Sequence, residues 1–226
     1  MSLYAILLVT SVAVPLLLSF DKKLRFWQQW KYLFPAIIAV AVFYIFFDIL
    51  LTDKGVWGFN PAYHSSIILL HLPLEEWLFF IVIPYASIFL HDALVLYFPN
   101  FKLSEKTTRY LTYGILIFLV LMIVLYTGKT YTLYIFTTTV VALLWSLADK
   151  SNMISRFYAT FLVILVPFIV VNAILTGTFI DGEVVWYNNA ENLGIRFLTI
   201  PVEDFGYAFS MILFGLLLRE KLRNLY

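Results

Sequence analysis

Apolar residues along this chain come in long unbroken stretches, not in the alternation of a half-buried strand or the three-to-four spacing of an amphipathic helix. Seven stretches reach membrane-crossing length, at about 3–20, 32–51, 73–97, 109–126, 131–147, 157–175 and 201–218. A helix rises 1.5 Å per residue, so about 20 apolar residues match the hydrocarbon core of a bilayer. The pattern predicts an all-α integral membrane protein with seven transmembrane helices. No basic residue precedes the first stretch, and Asp21, Lys22 and Lys23 follow it. Residues 3–20 therefore read as a retained span and not as a cleaved signal.

Polar positions settle the orientation. Twelve cations (Lys22, Lys23, Arg25, Lys31, Lys102, Lys106, Arg109, Lys150, Arg156, Arg219, Lys221 and Arg223) fall on one side of the predicted spans, and three (Lys54, Lys129 and Arg196) on the other. The positive-inside bias predicts an outside N-terminus and a C-terminus in the cytoplasm, with the protein in the cell membrane. Composition agrees: 62% of residues are hydrophobic and 13% charged, against about 25% charged in soluble domains. A net charge of +1 offers nothing to a nucleic acid, and the absence of cysteine removes disulfides, thiolate nucleophiles and Cys-bound metals.

The chain also matches itself. Asp21-Lys22 aligns with Asp149-Lys150 and Pro73 with Pro201, both 128 residues apart, while "FFDILLT" (46–52) matches "VVNAILT" (170–176) at 124. The outer loops share "VWGFN" (56–60) and "VWYN" (185–188). This divides the chain into a three-span repeat over 1–98, a linking span over 99–130 and a second three-span repeat over 131–226. An odd spacer makes the repeats parallel, with a pseudo-twofold axis along the membrane normal.

Each repeat carries adjacent acids behind a proline, in "LPLEEW" (72–77) and "IPVEDF" (200–205). Proline favours the first position of a helix, which would put Glu75 and Glu203 third. Acids in a first turn complement the helix dipole by about 0.3–1 kcal/mol, and that is the plain explanation of one pair. Two pairs, each behind an apolar run (66–72 and 193–200) that dips toward bilayer depth, call for more, because intramembrane acids usually face a cavity. Glu75, Glu76, Glu203 and Asp204 are thus the candidate catalytic residues, with Glu75 and Glu203 the expected proton donors.

Supporting candidates lie at the same level: Asp48 and its counterpart Asn172, and the loop residues Trp57, Asn60, Trp186 and Asn188, for which interfacial anchoring is the plainer reading. Arg196 is the expected counter-ion of Glu203 or Asp204. For His71 a pairing with Glu75 or Glu76 stands beside the plainer reading of a structural interfacial His, and His91-Asp92 read as solvated. Metal, nucleotide and serine-hydrolase motifs are absent. Several acids in a dry cavity suit general-acid chemistry on a substrate without polar handles. The 43 aromatic residues (Phe 22, Tyr 15, Trp 6) include π faces for a developing cation.

Tandem three-span units with P-x-E-[ED] at the head of each last helix resemble the membrane-integral lycopene cyclase domain family, in its fused form. The resemblance covers nearly the whole chain. It implies acid-initiated, non-redox cyclisation of linear lycopene ends, giving β-rings if the proton leaves the ring-junction carbon. It implies a lipophilic polyene substrate in contact with membrane lipid and no tightly bound cofactor. Self-association, or association with other carotenoid-pathway enzymes, is compatible with it. Because Asp48 becomes Asn172, the two halves need not be equivalent. Other classes would fit the spans: a small transporter of 3+1+3 layout, or a non-catalytic carotenoid- or isoprenoid-binding protein. A carrier, however, needs a polar path across the bilayer, whereas these acids gather at one end.

Overall fold

A computed structural model describes residues 1–149 and 151–225; Lys150, used above for the expected charge bias and the expected repeat, lies outside the described residues. Among the described residues seven α-helices carry the fold: α1 (Leu3–Leu18), α2 (Trp30–Asp53, entered through a short 3-10 turn), α3 (Leu74–Tyr97), α4 (Glu105–Leu125), α5 (Thr130–Ala148), α6 (Met153–Leu175) and α7 (Val202–Arg223). Each coincides with one of the apolar stretches to within a few residues. The chain is a multi-pass membrane protein, with five helices (α2 to α6) long and apolar enough to cross a bilayer.

The expected count of seven is met in helices but not in helices of spanning character. Helix α1 is apolar but only 16 residues long. Helix α7 carries Glu203, Asp204, Arg219, Glu220, Lys221 and Arg223 within its 22 residues. Its packing explains the tolerance for charge: Ala208 to Leu213 and Gly215 to Leu217 are all buried, so little of its middle faces lipid.

Helices α3 and α7 stand together at the centre. Helix α1 packs along α3 and α5 along α7, while α2 packs on α7 and α6 on α3. Each half of the chain therefore lends its second helix to the other half. Helix α4 lies outside, against α5 and α6, with most of its side chains exposed. Uniformly apolar helices gain little from burial against lipid-like neighbours, so close packing and interhelical hydrogen bonds specify the arrangement. Such bonds join Tyr44 to Ser210 (2.7 Å), Thr112 to Tyr158 (2.8 Å) and His91 Nδ1 to Thr160 (2.7 Å).

The loops α2–α3 and α6–α7 cover one end of the bundle. They meet in an antiparallel ribbon of β1 (Trp57–Phe59) and β4 (Val185–Tyr187), in register Trp57↔Tyr187, Gly58↔Trp186 and Phe59↔Val185. The Asn60 N–H donates to the Val184 carbonyl and the Asn188 N–H to that of Val56, both at 2.9 Å. These reciprocal bonds pair Val56 with Val184 and Asn60 with Asn188, each 128 apart. In this register the two tryptophans of "VWGFN" and "VWYN" are not opposite each other: Trp57 lies opposite Tyr187, and Trp186 opposite Gly58. A Cβ on Gly58 would fall 2.4 Å from the Trp186 ring, so glycine lets that indole lie on the ribbon.

Beyond the ribbon each loop makes a two-residue hairpin, β2 (Ile68–Leu69) with β3 (Leu72–Pro73) and β5 (Arg196–Phe197) with β6 (Ile200–Pro201). Leu70 and His71 hold the left-handed backbone (φ 48° and 71°), as does Leu198 (φ 55°). The hairpins end on Pro73 and Pro201, which are the N-caps of α3 and α7 and lie just outside the helices. The acids consequently occupy the second and third helical positions, one step earlier than expected.

Candidate functional site

One step along a helix is a rotation of about 100°, and that rotation separates the two acids of each pair. Glu75 and Glu203 turn to the loops. Glu75 Oε1 accepts from the Ser2 hydroxyl (2.6 Å) and the Ser65 N–H (2.7 Å), and Oε2 from the Ser65 hydroxyl (2.9 Å). Glu203 Oε1 accepts from the Thr132 hydroxyl (2.6 Å) and the Leu193 N–H (2.8 Å). Ser65 and Leu193 are 128 residues apart and each lies ten residues before its glutamate. Both glutamates thus fasten the chain entering a hairpin to the helix that follows it.

Glu76 and Asp204 turn inward, to a cavity beneath the ribbon. The phenol of Tyr4, in the first turn of α1, donates to Glu76 Oε2 at 2.5 Å. The phenol of Tyr131, in the first turn of α5, donates to Asp204 Oδ1, and that of Tyr187, on the ribbon, to Oδ2 at 3.0 Å. The heads of α1 and α5 are held in place by matching backbone bonds, Tyr4 N–H to the Tyr63 carbonyl (3.1 Å) and Tyr131 N–H to that of Glu191 (2.9 Å).

Asp48 descends from α2 into the same cavity, and Asn172 faces it from α6. The Asn172 amide donates to the Phe168 carbonyl (3.1 Å), whereas Asp48 Oδ2 is buried without a hydrogen-bond partner. Trp57 stands beside Asp48 and packs edge-on against Tyr131, with centroids 5.0 Å apart. The remaining wall is Phe59, Phe79, Ile83, Phe168, Tyr207 and Met211 with smaller residues. The cavity is narrow, about 60 Å³, below the roughly 300–1,000 Å³ of pockets that enclose whole ligands. The five acids are each at most 8% exposed.

Placement of the other candidates is mixed. Trp57 lines the cavity, but Trp186 lies outside it and is 39% exposed. Asn60 and Asn188 also stand outside; their side chains accept from the N–H groups of Ala62 and Ala190 (3.0 Å each), closing the turns that end the ribbon strands. Arg196 makes no salt bridge to Glu203 or Asp204 among the described residues. Its guanidinium donates to the Thr199 carbonyl (2.6 Å) and the Asn189 side chain (2.9 Å), and lies over the Tyr187 ring at 5.7 Å. His71 pairs with Asp53 at the surface (3.5 Å), because its left-handed turn carries it away from Glu75 and Glu76. His91 and Asp92 are not solvated: His91 is buried against Thr160, and Asp92 makes a two-pronged ion pair with Arg219 (2.5 and 2.9 Å).

The tyrosines were not among the sequence candidates. Tyr4 and Tyr131, 127 apart at the heads of two spans, carried the usable signal, which 15 tyrosines in the chain obscured.

Helices that span a bilayer, with acids buried beneath a ribbon at one end, define an integral membrane protein with a sequestered acidic site. The family model described as lycopene cyclase matches residues 1–94 and 128–222. The chain belongs to the lycopene cyclase family. Comparison with curated proteins and with solved structures gave no match.

Proposed function

We propose that this protein closes the linear ends of lycopene into β-rings by an acid-initiated isomerisation with no net change of redox state. The observation that carries the reading is the convergence of Glu76 and Asp204, from equivalent helical positions in two halves, on one aromatic cavity. A carboxylic proton added to the terminal double bond leaves a tertiary cation. The π pair of the next double bond in ring-closing position attacks it and moves the cation to the ring. A carboxylate then takes a ring proton, and a double bond forms. The faces of Trp57, Phe59, Phe79, Tyr131, Tyr187 and Tyr207 suit the passing cation, and a site without bulk water protects it from capture.

The roles within each pair follow from the side chains' surroundings. Glu76 and Asp204 are the carboxyls that reach substrate; Glu75 and Glu203 secure the hairpins. This removes Glu75 and Glu203, the first acid of each pair, as the expected proton donors. In the same reading the chain is two parallel three-helix repeats joined by α4. All seven helices cross the cell membrane, with the N-terminus and acidic cavity on the outer side and the C-terminus in the cytoplasm. No cofactor takes part. The carrier reading is disfavoured by the acids, which gather at one end of the bundle and trace no path through it.

The test is pigment analysis of lycopene-producing bacteria that express the chain. Cyclised carotenoid, separable from lycopene by chromatography and absorbing at shorter wavelength, is expected from the wild type. Unchanged lycopene alongside normal amounts of membrane-inserted protein would refute the reading.

A further inference from the structure

A third carboxyl shares the cavity, and the pairing of Glu76 with Asp204 leaves it without a role. Asp48 is 2% exposed and lines the same space as Glu76 and Asp204. Its surroundings differ from theirs in one respect. Phenol O–H groups aim their protons at Glu76 and at both oxygens of Asp204, so these oxygens act as acceptors. Asp48 Oδ2 has no donor, the Trp57 indole being the side-chain donor beside the carboxyl; Glu203 Oε2 is also without a donor but does not line the cavity. A buried carboxyl oxygen without a donor has room to carry a proton of its own and to point it at whatever fills the cavity. Asn172, at the matching place in the second half, has no such proton to give, and its amide is engaged with Phe168.

We propose that Asp48 is the proton donor that starts ring closure, and that Glu76 and Asp204 receive the proton lost at the end. This rests on the cyclase reading and deepens it. The Asp48 proton and the π pair of the terminal double bond make a new C–H bond, and Asp48 becomes a carboxylate. Ring closure consumes the second double bond to make a C–C bond. Loss of a ring proton to Glu76 or Asp204 restores one double bond. One proton enters and one leaves; its return across the shared cavity to Asp48 resets the site without any co-reactant. The two halves then have different roles, since the first alone supplies the acid while both supply tyrosine-bound carboxylates.

The experiment compares wild type, Asp48→Asn and Asp48→Glu in lycopene-producing bacteria, with membrane abundance and thermal unfolding in detergent measured for each. Asparagine keeps the shape and removes the proton. The expected result is a fall in ring formation of about 100-fold or more for Asp48→Asn at unchanged abundance, with lycopene as the residual pigment and partial recovery in Asp48→Glu. Three results would overturn the proposal: ring formation by Asp48→Asn within about twofold of wild type; equal inactivity of Asp48→Asn and Asp48→Glu with normal folding; or cyclic products of Asp48→Asn with a displaced double bond, which would put Asp48 after the cation. If the wild type itself forms no ring, the cyclase reading fails and this assignment goes with it.

Discussion

The Tyr4 hydroxyl reaches Glu76 across 72 residues of chain and bonds its Oε2 at 2.5 Å, so the head of α1 orients a carboxyl on α3. Tyr131 does the same for Asp204 from the head of α5. Removing the hydroxyl leaves the ring in place but frees the carboxyl to rotate. Tyr4→Phe and Tyr131→Phe should each lower turnover by about tenfold, equivalent to about 1.4 kcal/mol. Because Asp204 keeps Tyr187, Tyr131→Phe should be the milder of the two. Initial rates of pigment conversion per amount of folded protein check this.

The two acids of each motif should separate cleanly under substitution. Glu75 holds three donors and Glu203 two. Truncation to alanine strands the Ser65 and Leu193 N–H groups, at a cost of about 1–3 kcal/mol each. Glu75→Ala and Glu203→Ala should lower the unfolding temperature in detergent while the folded fraction keeps most of its turnover. Glu76→Gln and Asp204→Asn should keep the unfolding temperature and lose ring formation. Loss of turnover without loss of stability in Glu75→Ala would reverse this assignment.

The same two motifs show how far residue order alone reaches. Seven helices, their ends to within a few residues, and the position of both acid pairs at helix heads were all legible, since unbroken apolar stretches and Pro-x-Glu-acid are local signals. Which acid faces the cavity was not. It depends on where the helix begins, and Pro73 lies outside α3 because the hairpin before it holds that residue extended (ψ 151°). The partners of Arg196, His71, His91 and Asp92 were equally hidden, because each is set by tertiary packing and not by neighbours in the chain. Helix α7 misleads hydropathy for a related reason: protein instead of lipid surrounds most of it.

That enclosure makes Gly206 sensitive. A Cβ built there would lie 2.9 Å from Ile135 Cγ2 and 3.2 Å from Thr139 Oγ1, so α7 rests on α5 through a residue with no side chain. Small residues at such crossings let membrane helices approach. Gly206→Val should cost about 1–3 kcal/mol by overpacking. It should also reduce turnover, because Asp204 is half a turn away and Tyr131 lies on the displaced helix. Gly114, which meets nothing within 4 Å, is the control: Gly114→Ala should leave both stability and turnover as they are.

At the far end of the same central helices, Arg219 and Asp92 join α7 to α3 through two hydrogen bonds, with side chains 9% and 19% exposed. Little water reaches either group. Removing one partner leaves the other charge enclosed and unanswered, which in buried pairs costs about 3–5 kcal/mol; the one-fifth exposure of Asp92 puts the expectation at about 3. Asp92→Asn and Arg219→Met should therefore lower the unfolding temperature markedly and reduce the amount of protein in the membrane. Replacing both together, as Asp92→Leu with Arg219→Met, removes the stranded charge along with the pair and should recover most of the loss. Turnover per folded molecule should stay near wild type in the double variant, because the pair sits at the opposite end of α3 and α7 from Glu76 and Asp204. A double variant no more stable than either single one would mean that the pair itself, and not the avoidance of a lone buried charge, holds the two helices together.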